Sequence, residues 1–299
     1  MPAGHRFPMN KFERLAWLLV EEGLVPEGFH TPEPASFDLL AAVHDPAYVR
    51  AVFEQSLAPE AVRRLGLPMT AAVAARARAA VGGTLLAARL ALEHGLACNT
   101  AGGSHHAARG YGAGFCVFND VAVAARRLLD EGAVQRVLVV DLDVHQGDGT
   151  AFIFEGEPRV ATFSMHGAKN FPARRAASTL DIDLPDGAGD ADYLATLREH
   201  LPGLLDAHRP DLVFYVAGVD PHADDRLGRL ALSDAGLQAR DAYVLDRCLG
   251  RRIPVCGVLG GGYGADIDLL ADRHATLHRA AASAWTRGLA PFNPQEASL

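Results

Sequence analysis

Residues 136–149 read RVLVVDLDVHQGDG, six mostly β-branched and aliphatic residues running into a loop crowded with Asp, His and Gly. An apolar run of this length without polar alternation suits a strand buried on both faces, as parallel sheets require. The pattern recurs at 160–164 (VATFS), 212–217 (LVFYVA) and 255–259 (VCGVL), each just ahead of a loop. Between and around these runs, Ala/Leu/Arg-rich segments of helical period cover 11–22, 72–94, 121–131, 191–207, 233–249 and 267–282, with Ser233 and Asp234 giving an N-cap signal. Alternating strands and helices predict an α/β fold with a central, mostly parallel sheet flanked by helices. No repeat or low-complexity linker interrupts the series, so a single domain over 1–299 is expected.

In open α/β sheets the loops leaving the carboxyl ends of strands share one edge, and residues distant in sequence meet there. Those loops are GGSHH at 102–106, DLDVHQGDG at 141–149, GVD at 218–220 and GGGY at 260–263. Asp143 and His145 lie two apart, so at an extended strand end both point to one side and can hold a cation, with Asp220 as a third ligand. An Asp/His/Asp set suits Zn²⁺, Fe²⁺ or Co²⁺ and leaves coordination positions for water and substrate. The competing reading makes Asp143 a turn cap and His145 a packed core histidine.

Adjacent His105 and His106 follow two glycines, which permit a sharp turn. Each imidazole needs a partner to fix its tautomer, and Asp141 and Asp148 are residues of the right kind. Tyr263, after three glycines, can bring a phenol to an oxyanion, or can simply pack on a neighbouring helix. Phe115, next to Gly114, and Phe171 offer either two aromatic walls of a narrow channel or two core rings.

Composition narrows the partners. With 28 basic and 36 acidic residues the net charge is -8, which argues against nucleic acid or an anionic membrane surface as the main partner. Four cysteines form neither a CxxC pair nor a thiolate metal framework, consistent with a reducing, cytoplasmic setting. The N-terminal segment lacks the pattern of an export signal, and no run of roughly 18 apolar residues is expected to span a bilayer. Thirteen histidines exceed what surface decoration needs.

Together these segments resemble the zinc-dependent histone deacetylase superfamily, with its arginase-like α/β fold and its acetoin-utilisation and acetylpolyamine amidohydrolase relatives. The resemblance runs from about Gly4 to about Ala282 through GHRFPMNKFERL, VHDPAYV, GGSHHAARGYGAGFCVFNDVAVAARRLL, VLVVDLDVHQGDGTA, FSMHGAKNFP, AGVDPHADDRLGRLALS and LGGGYGADI. Compact length, the GHRFPM opening and the short GGY turn are most similar to the small class IV, deacetylase-11-like branch and its bacterial members. The resemblance implies that Asp143, His145 and Asp220 bind zinc. It implies that His105 and His106 are the catalytic pair, oriented by Asp141 and Asp148, with His106 as general base and later acid. Tyr263 would polarise the substrate carbonyl, Phe115 and Phe171 would line an acyl-lysine channel with Gly114 near the amide, and Asp141 with Ser164 would belong to a structural K⁺ site. Relatives carry Asp or Asn at position 148, and Asp favours a basic His106. Two positions depart from the family pattern: Asp224 replaces a usual glycine and His222 a usual aliphatic residue. An added carboxylate so close to Asp220 is expected to alter the surroundings of that ligand or to favour a cationic substrate.

The expected activity is hydrolysis of an acyl-lysine amide in a protein or peptide by metal-activated water, open to hydroxamate inhibition. The alternatives are deacylation of a small acylated amine such as an acetylpolyamine, and a catalytically lapsed metal-binding scaffold. The presence of the ligands, both histidines, their acidic partners and the tyrosine argues against the last.

Overall fold

The computed structural model describes residues 5–290, so Gly4 of the opening motif and both ends of the expected 1–299 domain lie outside the described residues. Six strands are described: β1 (Leu96–Cys98), β2 (Val137–Asp141), β3 (Val160–Gly167), β4 (Leu180–Leu184), β5 (Leu212–Val216) and β6 (Val255–Val258). They form one sheet in the order β1-β6-β5-β2-β3-β4, and every neighbouring pair is parallel. The helices are α1 (Lys11–Glu21), α2 (Phe37–Ala41), α3 (Pro46–Phe53), α4 (Pro59–Leu65), α5 (Ala71–His94), α6 (Asp120–Asp130), α7 (Asp148–Phe154), α8 (Asp190–His208), α9 (Asp234–Leu249) and α10 (Ile267–Thr286).

Both faces of the sheet are covered. Val137 and Val139 of β2 join a core with Val81 and Ala88 of α5 and Val121 and Leu128 of α6. Leu138 and Val140 enter the opposite core, with Leu197 and Leu201 of α8 and Leu237 and Val244 of α9. Period-two alternation thus sends successive side chains of one strand into two different cores, which is why the sequence there shows no polar positions.

The four expected strands and six expected helices are all present, with most ends within one or two residues. β1 and β4 were not read from the sequence. β1 is three residues long, and β4 lies at the sheet edge with the alternating pattern LDIDL. The expectation of no apolar segment long enough to span a bilayer needs correction. α5 is long and apolar enough by length and composition, but it packs against α6, β1 and β6, as a core helix does.

Topology places the chemistry. β1, β6, β5, β2 and β3 are consecutive in the sheet, and their carboxyl ends lead respectively to His105 and His106, to Tyr263, to Asp220, to Asp143 and His145, and to Phe171.

Candidate active site

The five loops converge on a buried polar cluster. Ligand atoms of Asp143, His145 and Asp220 lie within 4.8 Å of one another, and all three residues are buried. Asp143 Oδ1 accepts from the His145 backbone N–H at 3.0 Å and from its Nδ1 at 2.9 Å. Asp143 Oδ2 accepts from the Gly261 N–H at 2.6 Å. Asp220 Oδ1 accepts from the Val144 N–H at 2.9 Å, whereas its buried Oδ2 receives no well-aligned hydrogen bond and has His145 Nδ1 as an ion-pair neighbour at 3.1 Å. The turn-cap reading of Asp143 is therefore true of one oxygen, and it coexists with the cluster.

The residues fit a divalent cation. Burial, and then the charge of Asp143, push the Asp220 carboxyl up to about 7, so two adjacent buried carboxylates are uncomfortable without a cation between them. Burial opposes the charge on His145, yet Asp143 and Asp220 overcome it and raise that imidazole to about 10. A carboxylate oxygen without a well-aligned donor, beside a second carboxylate and an imidazole, is a mixed N/O donor set with unused capacity. Gly261 makes room for it, since a Cβ there would stand 2.1 Å from Asp220 Oδ2.

The two histidines are held from behind. His105 Nδ1 lies 2.7 Å from Asp141 Oδ2 and His106 Nδ1 lies 2.6 Å from Asp148 Oδ1, while their Nε2 atoms are 3.1 Å apart. Their environments differ in electrostatic effect. At His105, burial is outweighed by the charges of Asp141 and Asp143, which raise its pKa to about 9. At His106, burial and then the charge of His105 lower the pKa to about 4, against the pull of Asp148. Asp148 therefore does not make His106 the more basic imidazole, and of the pair it is His105 that holds its proton more tightly. The GGSHH turn is fixed by Asp120 at the start of α6, which accepts from the N–H groups of Gly103 (3.1 Å) and Ser104 (2.7 Å).

Tyr263 is buried beside this cluster, its ring 6.2 Å from His145 and 5.7 Å from Phe115, with its N–H donating to Asp225 Oδ2 at 2.7 Å. Burial and then the charges of Asp220 and Asp143 hold the phenol well above its usual pKa, so it remains a proton donor. Phe171 is 46% exposed and meets the His106 ring edge-on at 4.8 Å, so the core reading does not describe it. Phe115 is half-buried against Phe7 and Tyr263. Gly114 and Phe115 both have left-handed backbones, φ 53° and 68°, and a Cβ on Gly114 would fall 2.5 Å from His106 Cδ2. Ser164 is the β3 register partner of Asp141, and its Oγ lies 2.9 Å from His166 Nδ1.

The Asp224 carboxylate is largely exposed and accepts from Arg273 Nη2 at 2.8 Å, while Nε of the same arginine donates to Asp234 at 3.0 Å. His222 contacts Asp234 through Nε2 at 3.2 Å.

Sequence reasoning missed Lys11 and Arg240. Lys11 is buried on α1, donates from Nζ to the Gly262 carbonyl at 3.3 Å, and is brought down to about 8 by burial. Arg240 is fully buried on α9 and donates to the carbonyls of Leu142 (3.2 Å) and Gly218 (2.6 Å), one in each of two ligand loops. Its signal was present, since Leu237, Arg240, Asp241, Val244, Leu245 and Cys248 fall on one buried helical stripe that carries an ion pair.

Comparison with known proteins matches residues 5–278 to a family described as "Histone deacetylase domain". An uncharacterized protein of Picosynechococcus sp. is 54% identical over 282 residues, covering 94% of each chain. Histone deacetylase 2 of Arabidopsis thaliana is 32% identical over 270 residues, covering 87% of this chain and 70% of that one. Among solved structures, the HDA15 HD domain superposes with a TM-score of 0.79 at 24% identity, over 95% of this chain and 83% of the other, and so shares the fold.

Proposed function

The chain belongs to the histone deacetylase family, and from that membership we propose that it is a metal-dependent deacylase, removing the acyl group from acylated lysine in a protein or peptide. The observation that carries the reading is the pairing of His105 with Asp141 and of His106 with Asp148 beside the Asp143, His145 and Asp220 cluster.

A divalent ion held by Asp143, His145 and Asp220, with Zn²⁺ proposed ahead of Fe²⁺ or Co²⁺, would supply Lewis acidity, polarising the acyl carbonyl and lowering the pKa of water towards ~7. The rest belongs to the chain. Neutral His106 takes a proton at Nε2 from the attacking water while Asp148 receives its Nδ1–H, so the charge it gains is matched by a carboxylate 2.6 Å away. His105, held at Nδ1 by Asp141 with its Nε2 3.1 Å from that of His106, is the second imidazole of the pair facing the reacting amide. Tyr263 donates its phenolic hydrogen towards the acyl oxygen. When the carbon–nitrogen bond breaks, His106 returns its proton to the departing amine, and amine and carboxylic acid leave. Phe171 and Phe115 guard the approach as walls for a linear aliphatic stem, and a hydroxamate on such a stem is the proposed inhibitor.

We extend the proposal to a structural K⁺ near the register partners Asp141 and Ser164, to one domain over the whole chain, and to action in the cytoplasm, which the four free cysteines support. The lapsed-scaffold alternative fits poorly with carboxylate partners retained on both histidines.

The test is turnover of the metal-loaded protein across acyl-lysine peptides of increasing acyl length and acetylpolyamines, with and without a hydroxamate. Hydroxamate-sensitive release of lysine from the peptides is expected. Turnover of polyamines alone would move the assignment to small amines, and no turnover of either would support the scaffold.

A further inference from the structure

Above the site lies a mouth of about 510 Å³ bordered by His5, Arg6, Arg64, Gly66, Phe115 and Phe171. Gly114 and Phe115 also line the inner cavity that reaches His105, His106, Asp143 and Tyr263, so the mouth is the outer end of the path to the chemistry. Its charge has one sign. Arg6 and Arg64 are exposed, and no aspartate or glutamate borders the mouth with them. Among the described residues neither guanidinium makes an ion pair or a hydrogen bond, whereas Arg273, Arg279 and Arg287 each engage carboxylates. Arg64 is steadied without being neutralised, its guanidinium 4.8 Å above the Tyr111 ring. Its position in the last turn of α4 complements that helix terminus, but Arg6 lies outside any helix and has no such role. Two uncompensated cations at the entrance of a chain whose net charge is -8 run against the prevailing field.

Resting on the deacylase reading, we propose that this mouth selects acyl-lysines set among acidic side chains, with Arg6 and Arg64 as the specificity-determining residues. An acyl-lysine that reaches down the path leaves its flanking residues at the rim, where two positive charges attract carboxylates and repel lysines, arginines and the free amines of a polyamine. Asp224, the one added carboxylate near the ligand loops, does not border this mouth and is paired with Arg273. Because both arginines are exposed, each contributes modestly and is screened by salt.

The experiment uses three acyl-lysine peptides that differ only in their flanks: Asp/Glu, Ser/Gln, or Lys/Arg. Binding is read by fluorescence anisotropy and turnover as kcat/KM, for the metal-loaded parent and for Arg6→Gln, Arg64→Gln and the double variant, at low and high salt. The acidic peptide is expected to exceed the basic one by about 10-fold in the parent at low salt. The ratio should shrink at high salt and fall to within about 2-fold in the double variant. Equal or reversed binding preference in the parent, or a preference that survives in the double variant, overturns the selection. Acidic-selective binding that the double variant abolishes, with no peptide turned over, upholds the selection and overturns the deacylase reading. Turnover of all three peptides without preference does the reverse.

Discussion

The Nη1 atom of Arg240 donates to the carbonyl of Gly218 at 2.6 Å, tying α9 to the backbone two residues ahead of Asp220. The same atom reaches the Leu142 carbonyl at 3.2 Å, so one buried side chain spans both ligand loops. Asp241 balances its charge, and the hydroxyls of Tyr215 and Thr276 complete the carboxylate's partners. Replacing Arg240 by Met would leave Asp241 charged and unpaired, so a loss of about 3 to 5 kcal/mol is expected in denaturant unfolding. Arg240→Met combined with Asp241→Asn should recover part of it. A double variant no more stable than the single one would show that the unpaired charge is not the cause.

His106→Ala should lower kcat about 10²-fold or more while bound metal stays at the parental level. The residue touches Asp148, His105, Phe171 and the His145 ring but is not itself one of the three clustered ligand residues, so binding and chemistry should separate. Single-turnover kinetics beside metal content make the comparison. Near-normal turnover would mean that another base operates.

For Tyr263→Phe the expected loss is about 2 to 4 kcal/mol of transition-state stabilisation, appearing mainly in kcat. The ring contacts with Phe115 and His145 survive this change, so stability should be nearly unaltered. A change confined to KM would reduce the tyrosine to a packing role.

His44 makes stability depend on pH. It is buried between the Ala108 carbonyl, 2.9 Å from Nδ1, and the Asn119 N–H, which donates to Nε2 at 3.0 Å. That arrangement fits only the neutral Nδ1–H tautomer, and burial, partly offset by the carbonyls of Ala108 and Arg109, lowers the pKa to about 4. As pH falls below the ordinary value of about 6.5, the unfolded chain binds the proton first. The His44 contribution is therefore complete above about 6.5 and declines through the window down to about 4. The stability difference between the parent and His44→Gln, measured by urea unfolding across that window, should shrink on acidification. A difference constant with pH would contradict this.

Legibility followed burial. β2 could be read because all five of its residues are buried on both faces, which writes an unbroken apolar run into the sequence. The short β1 and the edge strand β4 left no such mark. The loops carrying Asp143, His145 and the two histidines were legible as carboxylate and imidazole types at suggestive spacings, and topology then brought their strands side by side. Lys11 was not legible, because α1 reads as a surface helix and the acceptor of its Nζ, Gly262, is 251 positions away. Arg240 was written into an apolar stripe but needs the loops it holds to be seen before its role is evident. The charge of the mouth was equally hidden, since Arg6 and Arg64 come together only when the N-terminal segment passes the end of α4.

The central claim is that Asp143, His145 and Asp220 hold one divalent ion on which hydrolysis depends. Elemental analysis of the parent and of Asp220→Ala, purified side by side and assayed on the same acyl-lysine peptide, tests it most directly. About one equivalent of divalent metal is expected in the parent, and metal and activity should be lost together in the variant. Stoichiometric metal retained by Asp220→Ala would contradict the assignment.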